Sequence, residues 1–434
     1  MGGGQLWATS YNGPFTPSSN QANAVAVSPD GSVVYVAGTS YDGQAAGDDF
    51  ATVAYDAVTG RQLWVSRSRG PSDSARAIAV SPSGGMVFVT GHSQPFASGY
   101  GTVAYDAATG RRLWFSRYDA PAGGVGDQAT AVAVSPNGRA VFVTGLSLGT
   151  TFRDDYATVA YNATTGSRLW VRRYDGPGHG DDDAYSVAVS PSGAAVYVTG
   201  VSQGRTSGAD YATVAYNAAT GKDLWVRRYN GPGNGADGAS SIAVSPAGGA
   251  VFVTGRSAGR AATGYDYATV AYAAATGKYL WVRRYNGPSS RTDSAQSVAV
   301  SPGGASVYVT GVSDRGNGGT TDYATVAYNA ATGAQRWARR YVGHGRAASG
   351  AAAVAVSPGG ARVYVTGTTA FYSYATVAYN AATGAQLWAS TYSGTPEDLA
   401  CCIAVSPKTG TIYISGSSYS TSSGWDYATV AYRR

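Results

Sequence analysis

Four kinds of residue in this sequence are of a type that does chemistry, and their spacing limits what that chemistry can be. Gly-x-Ser-x-Gly occurs three times, at 145–149, 200–204 and 255–259. A nucleophilic serine of that motif stands on one sharp strand-to-helix turn with its hydroxyl exposed. Here the serine recurs after the same strand pattern in three repeats, and no helix follows. It is read as a strand-end turn. The histidines, His92, His179 and His344, fall in separate repeats and match no zinc-ligand spacing, so they are read as solvated loop residues. The run Asp181–Asp183 beside His179 offers oxygen ligands of the kind calcium takes, without the EF-hand pattern. It is read as a solvated turn, and no metal site is assigned. Cys401 and Cys402 are the only cysteines and are adjacent, so they cannot staple distant segments; they are read as two small thiols at the start of an inner strand.

Carboxylates and guanidiniums recur in step. One Asp precedes a strand at Asp49, Asp155, Asp210, Asp266, Asp322 and Asp426. An Arg falls near the end of the following strand at Arg67, Arg117, Arg173, Arg228, Arg284 and Arg340. A second Asp opens the next unit at Asp73, Asp127, Asp182, Asp237, Asp293 and Asp398. A residue needed once for catalysis would not recur six times, so these are expected to form a structural ring on one face. The departures carry more information. Gly99 and Ser373 replace the first Asp, Ser10 and Thr391 the Arg, and Asn20 and Ser349 the second Asp.

The elements that position these residues are short strands. Asp155–Trp170, DYATVAYNATTGSRLW, alternates on a period of two, turns at Asn162–Gly166, and returns through Leu169 and Trp170. The same string recurs around Tyr55, Tyr105, Tyr216, Tyr272, Tyr328 and Tyr379, and a broken copy ends at Tyr432. The third repeat predicts strands over Ala129–Ser135, Ala140–Gly145, Asp155–Asn162 and Ser167–Tyr174. Ser-Pro turns begin at Ser28, Ser81, Ser135, Ser190, Ser245, Ser301, Ser357 and Ser406. Tryptophans of the fourth strand stand at 7, 64, 114, 170, 225, 281, 337 and 388, at intervals of 57, 50, 56, 55, 56, 56 and 51. Four strands in a period near 50 mean propeller blades. The expected fold is all-β: an eight-bladed β-propeller of four-stranded antiparallel blades, one domain over 1–434. The last repeat stops after three strands, and its missing fourth, QLWATSY, is at Gln5–Tyr11. Blade 8 is therefore expected to combine 400–433 with 5–11, which closes the ring and removes two free edges.

The string AYDAVTGRQLW (Ala54–Trp64) resembles the tryptophan-docking motif of quinoprotein-like (PQQ-like) eight-bladed propellers. The wider unit DYATVAYNAATGKDLWVRRYNGPGNG (210–235) resembles the bacterial SBBP-type propeller repeat. The resemblance covers nearly the whole chain and implies an eight-bladed fold with each Trp docked between blades. It implies no activity, because such propellers include dehydrogenases, assembly lipoproteins and exported proteins of other kinds. Some quinoprotein alcohol dehydrogenases carry an adjacent-cysteine disulfide, to which Cys401–Cys402 is similar in kind. No quinone-facing Trp, calcium ligands or catalytic Asp can be matched, so neither PQQ nor calcium is assigned as a cofactor.

Composition sets the remaining bounds. Charged residues make up 13% of the 434, which argues against disorder, and no apolar run is long enough to span a membrane as a helix. The net charge of +6 comes from Arg at fixed repeat positions, with Lys only at 222, 278 and 408. With no basic run and no reading helix, nucleic-acid binding is not expected. Met1-Gly2-Gly3-Gly4 leads straight into a strand, read as a trimmed start from which an export signal has been removed.

Binding is expected where the repeat varies. The loops between strands two and three hold Tyr41, Phe96, Phe152, Tyr265, Phe371, Tyr372, Tyr419 and Trp425. The starts of the inner strands differ at Asn23, Arg76, Thr130, Tyr185, Ser240, Gln296, Ala352 and Cys401, and are expected to rim the channel on the same face. Phe371, Tyr372, Tyr419, Trp425, Tyr41, Cys401 and Cys402 gather on blades 7, 8 and 1 and form the candidate ligand site. The expected function is an exported, monomeric, non-enzymatic propeller that binds a glycan, peptide or protein there. The alternative is an enzyme using the central channel, either quinone-dependent or polysaccharide-active.

Overall fold

A computed structural model describes residues 3–16, 18–41, 43, 47–68, 73–94, 99–121, 126–149, 152–260, 264–316, 320–343, 348–369, 372–394 and 397–434. Phe96, Phe371 and His344 lie outside them. Eight antiparallel sheets form, and no helix occurs among the described residues. In blade 3 the strands are Gln128–Val134, Ala140–Leu148, Asp154–Asn162 and Arg168–Tyr174, paired in sequence order. Strand two runs three residues past the expected Gly145. The other blades repeat this plan.

The two turns of each blade follow from side chains that mimic backbone. In the Ser-Pro turn, Ser135 Oγ accepts the N–H groups of Arg139 and Ala140 at 3.1 and 2.9 Å. In the second turn, Asn162 Oδ1 accepts from Thr164 and Thr165, both at 3.0 Å, and Gly166 takes φ +71°. That glycine also has a packing reason: an added Cβ would lie 2.6 Å from the Trp114 ring of the preceding blade.

The hydrophobic core sits between blades rather than within one. One cluster joins Phe142, Tyr156, Ala160 and Trp170 of blade 3 to Val196, Val198, Ala212, Val214 and Tyr216 of blade 4. Trp170 lies between Phe142 and Tyr216, with ring centroids 5.8 and 6.0 Å away, and donates to Ala218 O at 2.9 Å. A sheet of four short strands cannot bury both faces alone, so the blades are stable only stacked in a ring.

Each inner strand carries a β-bulge, and the bulge residues are the eight variable positions from Asn23 to Cys401. The bulge pushes a carbonyl over the glycine of strand two. A Cβ on Gly200 would lie 1.9 Å from Asp183 O, and the equivalent glycines of the other blades meet the same obstacle at 1.9–2.1 Å. Glycine ends the repeated VTG pattern for this reason.

The ring closes as expected. Gln5–Tyr11 pairs antiparallel with Gly424–Tyr432. Gly3 N–H donates to Arg433 O at 3.0 Å and Arg433 N–H to Gly4 O at 2.9 Å. These reproduce the bonds Gly60 to Asp56 and Asp56 to Arg61 of an unbroken turn. Trp7 donates to Ala57 O at 3.2 Å, tying blade 8 to blade 1. Blade 8 begins at Glu397, and Ser18–Ser19 adds a short parallel strand beside Gly424–Trp425.

Candidate functional site

The loops between strands two and three and the links between blades emerge on one face. Near it the repeated charges interlock. Arg173 pairs with Asp155 at 2.8 Å and donates to Ser147 Oγ at 2.6 Å and to the Tyr118 hydroxyl of the preceding blade at 3.1 Å. The pairs Arg67–Asp49, Arg228–Asp210, Arg284–Asp266 and Arg340–Asp322 lie at 3.1, 2.9, 2.7 and 2.9 Å. The serines of the three Gly-x-Ser-x-Gly motifs, Ser147, Ser202 and Ser257, are buried within strand two and accept from these arginines. They are not turn residues as read from sequence, because the strand continues past the glycine.

The second Asp is buried in all six repeats that have it, and it replaces missing backbone partners. Asp182 accepts from Gly176 and Gln203 N–H at 2.5 and 3.0 Å, so it pins the link between blades to the end of strand two. Burial pushes its carboxyl up, opposed by these N–H donors and the Ser202 hydroxyl. Asp155, Asp175 and Asp182 have carboxylate oxygens within 4.8 Å of one another. Arg173 pairs with one of them, Asp155, and the ring Nδ1 of His179 lies 2.7 Å from Asp175 Oδ2. Asp154 beside them is pushed up to about 6, first by burial and then by Asp183 and Asp181. His92 differs from its expected loop position. It lies in the strand Met86–Ser93, with Nδ1 3.1 Å from Asp127 O.

Where the pattern breaks, the partners change. Arg117 faces Gly99 and turns to Asp119 at 2.6 Å. Asp426 has Ser10 near in place of Arg and accepts from Ser423 Oγ at 2.5 Å. Asn20 stands in for the buried Asp and accepts Tyr41 N–H at 3.2 Å.

Four of the seven candidate ligand residues are tied together through the backbone, and two of them touch by their rings. Asp398 N–H donates to Tyr372 O at 2.5 Å. The adjacent Glu397 pairs across the strands with Tyr419, and Tyr419 with Trp425. The Tyr419 and Trp425 rings lie 5.4 Å apart at 55°. Trp425 O accepts Asn20 N–H at 2.7 Å, and Asn20 holds Tyr41. Tyr372 is 52% exposed and takes φ +49°, which projects it from a tight turn. Cys401 and Cys402 are joined as a disulfide rather than left as thiols. They lie along the same inner strand, further down the channel wall.

The bulge residues form a ring below the mouth. Asn23, Thr130 and Ser240 donate to the inner-strand carbonyls of the next blade, Ala75, Ala184 and Ala295, at 2.7, 2.7 and 2.6 Å. Arg76, Tyr185 and Gln296 are exposed instead. The bulge itself was missed from sequence, although the small residue on either side of each variable position, facing Thr-Gly, was its signal.

The fold family invites a test for pyrroloquinoline quinone. That group is a planar tricarboxylate and needs several cations around an aromatic face. The bulge ring offers one cation, Arg76, and one aromatic, Tyr185, two blades apart, and the other cation beside the ring, Arg256, stands three blades from Arg76. This donor set does not fit the group.

The family model for outer membrane protein assembly factor BamB, a PQQ-type repeat, matches residues 1–151, 103–317 and 266–419. No curated protein matches. Among solved structures, Sqt1 from Chaetomium thermophilum bound to the N-terminus of ribosomal protein L10 is 13% identical with a TM-score of 0.63, over 96% of this chain and 97% of that one. BamB from Moraxella catarrhalis is 13% identical with a TM-score of 0.51, over 99% and 97%. Quinohemoprotein alcohol dehydrogenase from Comamonas testosteroni is 16% identical with a TM-score of 0.57, over 98% and 76%. At these identities the likeness is one of fold.

Proposed function

The chain belongs to the BamB family of PQQ-type repeat propellers, and on that premise we propose that it is an exported, non-enzymatic propeller that binds a peptide or protein on its loop face. The observation that carries this reading is the group of Tyr372, Tyr419, Trp425 and Tyr41, tied through the backbone at the seam of blades 7, 8 and 1. Aromatic faces on a rigid frame bind at low entropic cost. Phe371 is included in the proposed site on its sequence position, and Cys401–Cys402 as its stiffened floor. The repeated Asp and Arg, Asp426 among them, serve the frame. The Sqt1 structure, in which a propeller of the same fold holds a polypeptide N-terminus, favours a peptide over a glycan. The disulfide supports export, since such bonds persist in oxidising compartments.

A peptide array probed with the parent and with Trp425→Ala, Tyr419→Ala and Tyr372→Ala tests this. A ligand of the parent should lose about tenfold or more in affinity with at least Trp425→Ala, the worth of an aromatic anchor. If all three variants bind equally well, the site is elsewhere.

A further inference from the structure

We propose that a notch in the channel wall at blades 4–6 binds the carboxylate of an acidic side chain on a peptide. The notch has a volume of about 250 Å³ and is lined by Tyr185, Val201, Gly238, Ser240, Arg256 and Gln296, among others. Its arginine stands on blade 5, two blades around the ring from Tyr372 and three from the Tyr419–Trp425 pair.

The notch exists because the repeat fails there in two ways. The residue before the inner-strand alanine is Gln21, Ser74, Gln128, Asp183, Gly238, Ser294, Gly350 or Leu399 in the eight blades. Gly238 has no side chain to cover the wall, and Val201 Cγ2 of the neighbouring blade stands 2.8 Å from where its Cβ would lie. The residue paired across from Gly238 is Arg256. At that position the other blades have Thr39, His92, Leu146, Val201, Val312, Thr368 and Ser417. So the one arginine in this series stands across from a glycine, which offers it no side-chain partner.

Arg256 differs from the arginines of the structural ring. Each of those has a carboxylate within 4.0 Å, as Arg228 has Asp210. Arg256 is exposed, is held 5.1 Å over the Tyr265 ring, and has no carboxylate partner among the described residues. A guanidinium fixed over an aromatic face keeps its donor fork free and oriented. The residue after the bulge is a serine in these three blades. Ser186, Ser241 and Ser297 accept the N–H groups of Ile242, Val298 and Val354, each at 3.3 Å. The same position is Ala24, Ala77, Ala131, Ala353 or Cys402 elsewhere.

These features select the ligand. A planar fork matches a carboxylate in two parallel bonds. One cation without a second suits a monoanion rather than a phosphate dianion. The volume holds a side chain and not a cofactor. The inner strands Asp182–Val189, Asp237–Val244 and Asp293–Val300 are sheet edges along the channel. An extended chain can use such an edge, which favours a polypeptide carrier over a sugar acid.

The test uses fluorescein-labelled octaglutamate and octaglutamine at low salt, read by anisotropy. Octaglutamate should bind the parent better than octaglutamine, and Arg256→Gln should weaken it about tenfold, as for one charge-assisted contact. Arg61→Gln removes the same charge from a turn on the opposite face and should leave binding unchanged. Equal losses in Arg256→Gln and Arg61→Gln would reduce the effect to net charge and overturn the proposal. So would failure of the parent to bind octaglutamate, or an Arg256-dependent preference for oligogalacturonate, which would make the carrier a glycan. Arg256 is exposed, and an unchanged melting curve checks that the variant folds.

Discussion

Replacing Asp73 by Asn tests whether the buried carboxylates at the blade entrances serve through their oxygens or their charge. Asp73 is 1% exposed and accepts Gln94 N–H at 3.2 Å. Burial pushes its pKa up to about 6; Ser93 and Gln94 oppose this, Asp49 adds to it, and Arg117 opposes it. In the unfolded chain the value is about 3.9. The folded state thus holds the proton more tightly. The stability this contributes is complete below about pH 4 and is lost as pH rises through about 6. Two pK units correspond to about 3 kcal/mol. Asparagine keeps an acceptor oxygen and has no proton to lose. Blade 1 already uses Asn20 in this place, accepting Tyr41 N–H. The stability of Asp73→Asn relative to the parent should therefore climb by about 3 kcal/mol between pH 4 and 7 and level off above that. Urea denaturation followed by tryptophan fluorescence across pH 4–8 measures it. A difference that stays flat across this range would refute the argument that the buried charge costs stability.

Two further outcomes follow from the fold. A chain starting at Pro14 loses the strand that places Trp7 5.8 Å from Tyr413 and 6.5 Å from Tyr55; losing a docked Trp costs roughly 3–5 kcal/mol, so the melting midpoint should fall, and an unchanged midpoint would show that blade 8 does not need its fourth strand. Gly200→Ala puts a methyl 1.9 Å from Asp183 O and should cost about 3 kcal/mol, the upper range for overpacking. Gly249→Ala meets nothing within 4 Å and should be close to neutral in the same melting experiment.

The fold was legible because its causes repeat. A tryptophan every 50 to 57 residues, a Ser-Pro turn and an Asn- or Asp-to-Gly turn each act within one blade or between two neighbours, so eight copies report the same physics. Ring closure was legible for the same reason, as three strands at one end lacked the strand found at the other. What stayed hidden depends on register. The bulge at Tyr185 shifts the pairing by one residue, and alternation alone does not show where a strand slips. The Gly-x-Ser-x-Gly serines were placed in turns because glycine reads as a strand end, whereas here glycine marks a carbonyl passing close by. The disulfide at Cys401–Cys402 depends on local backbone geometry that spacing does not report.

The same reasoning decides where function should be sought in such a molecule. Interactions that recur around the ring, such as Arg228–Asp210 or Trp170 on Ala218, are explained by the stacking they maintain. They fix eight loop anchors to a frame whose core lies between blades, so a change in one loop is not transmitted as a change of fold. Selection for binding can then act on single positions without disturbing the frame. Arg256 opposite Gly238 and the Tyr419–Trp425 pair are such single positions, on well-separated arcs of the channel mouth. An extended polypeptide that touched both would have to cross the mouth, and Arg256→Gln and Trp425→Ala would then weaken one and the same ligand. Two separate ligands would instead respond to one variant each, which makes the pair of substitutions a measure of how the loop face is divided.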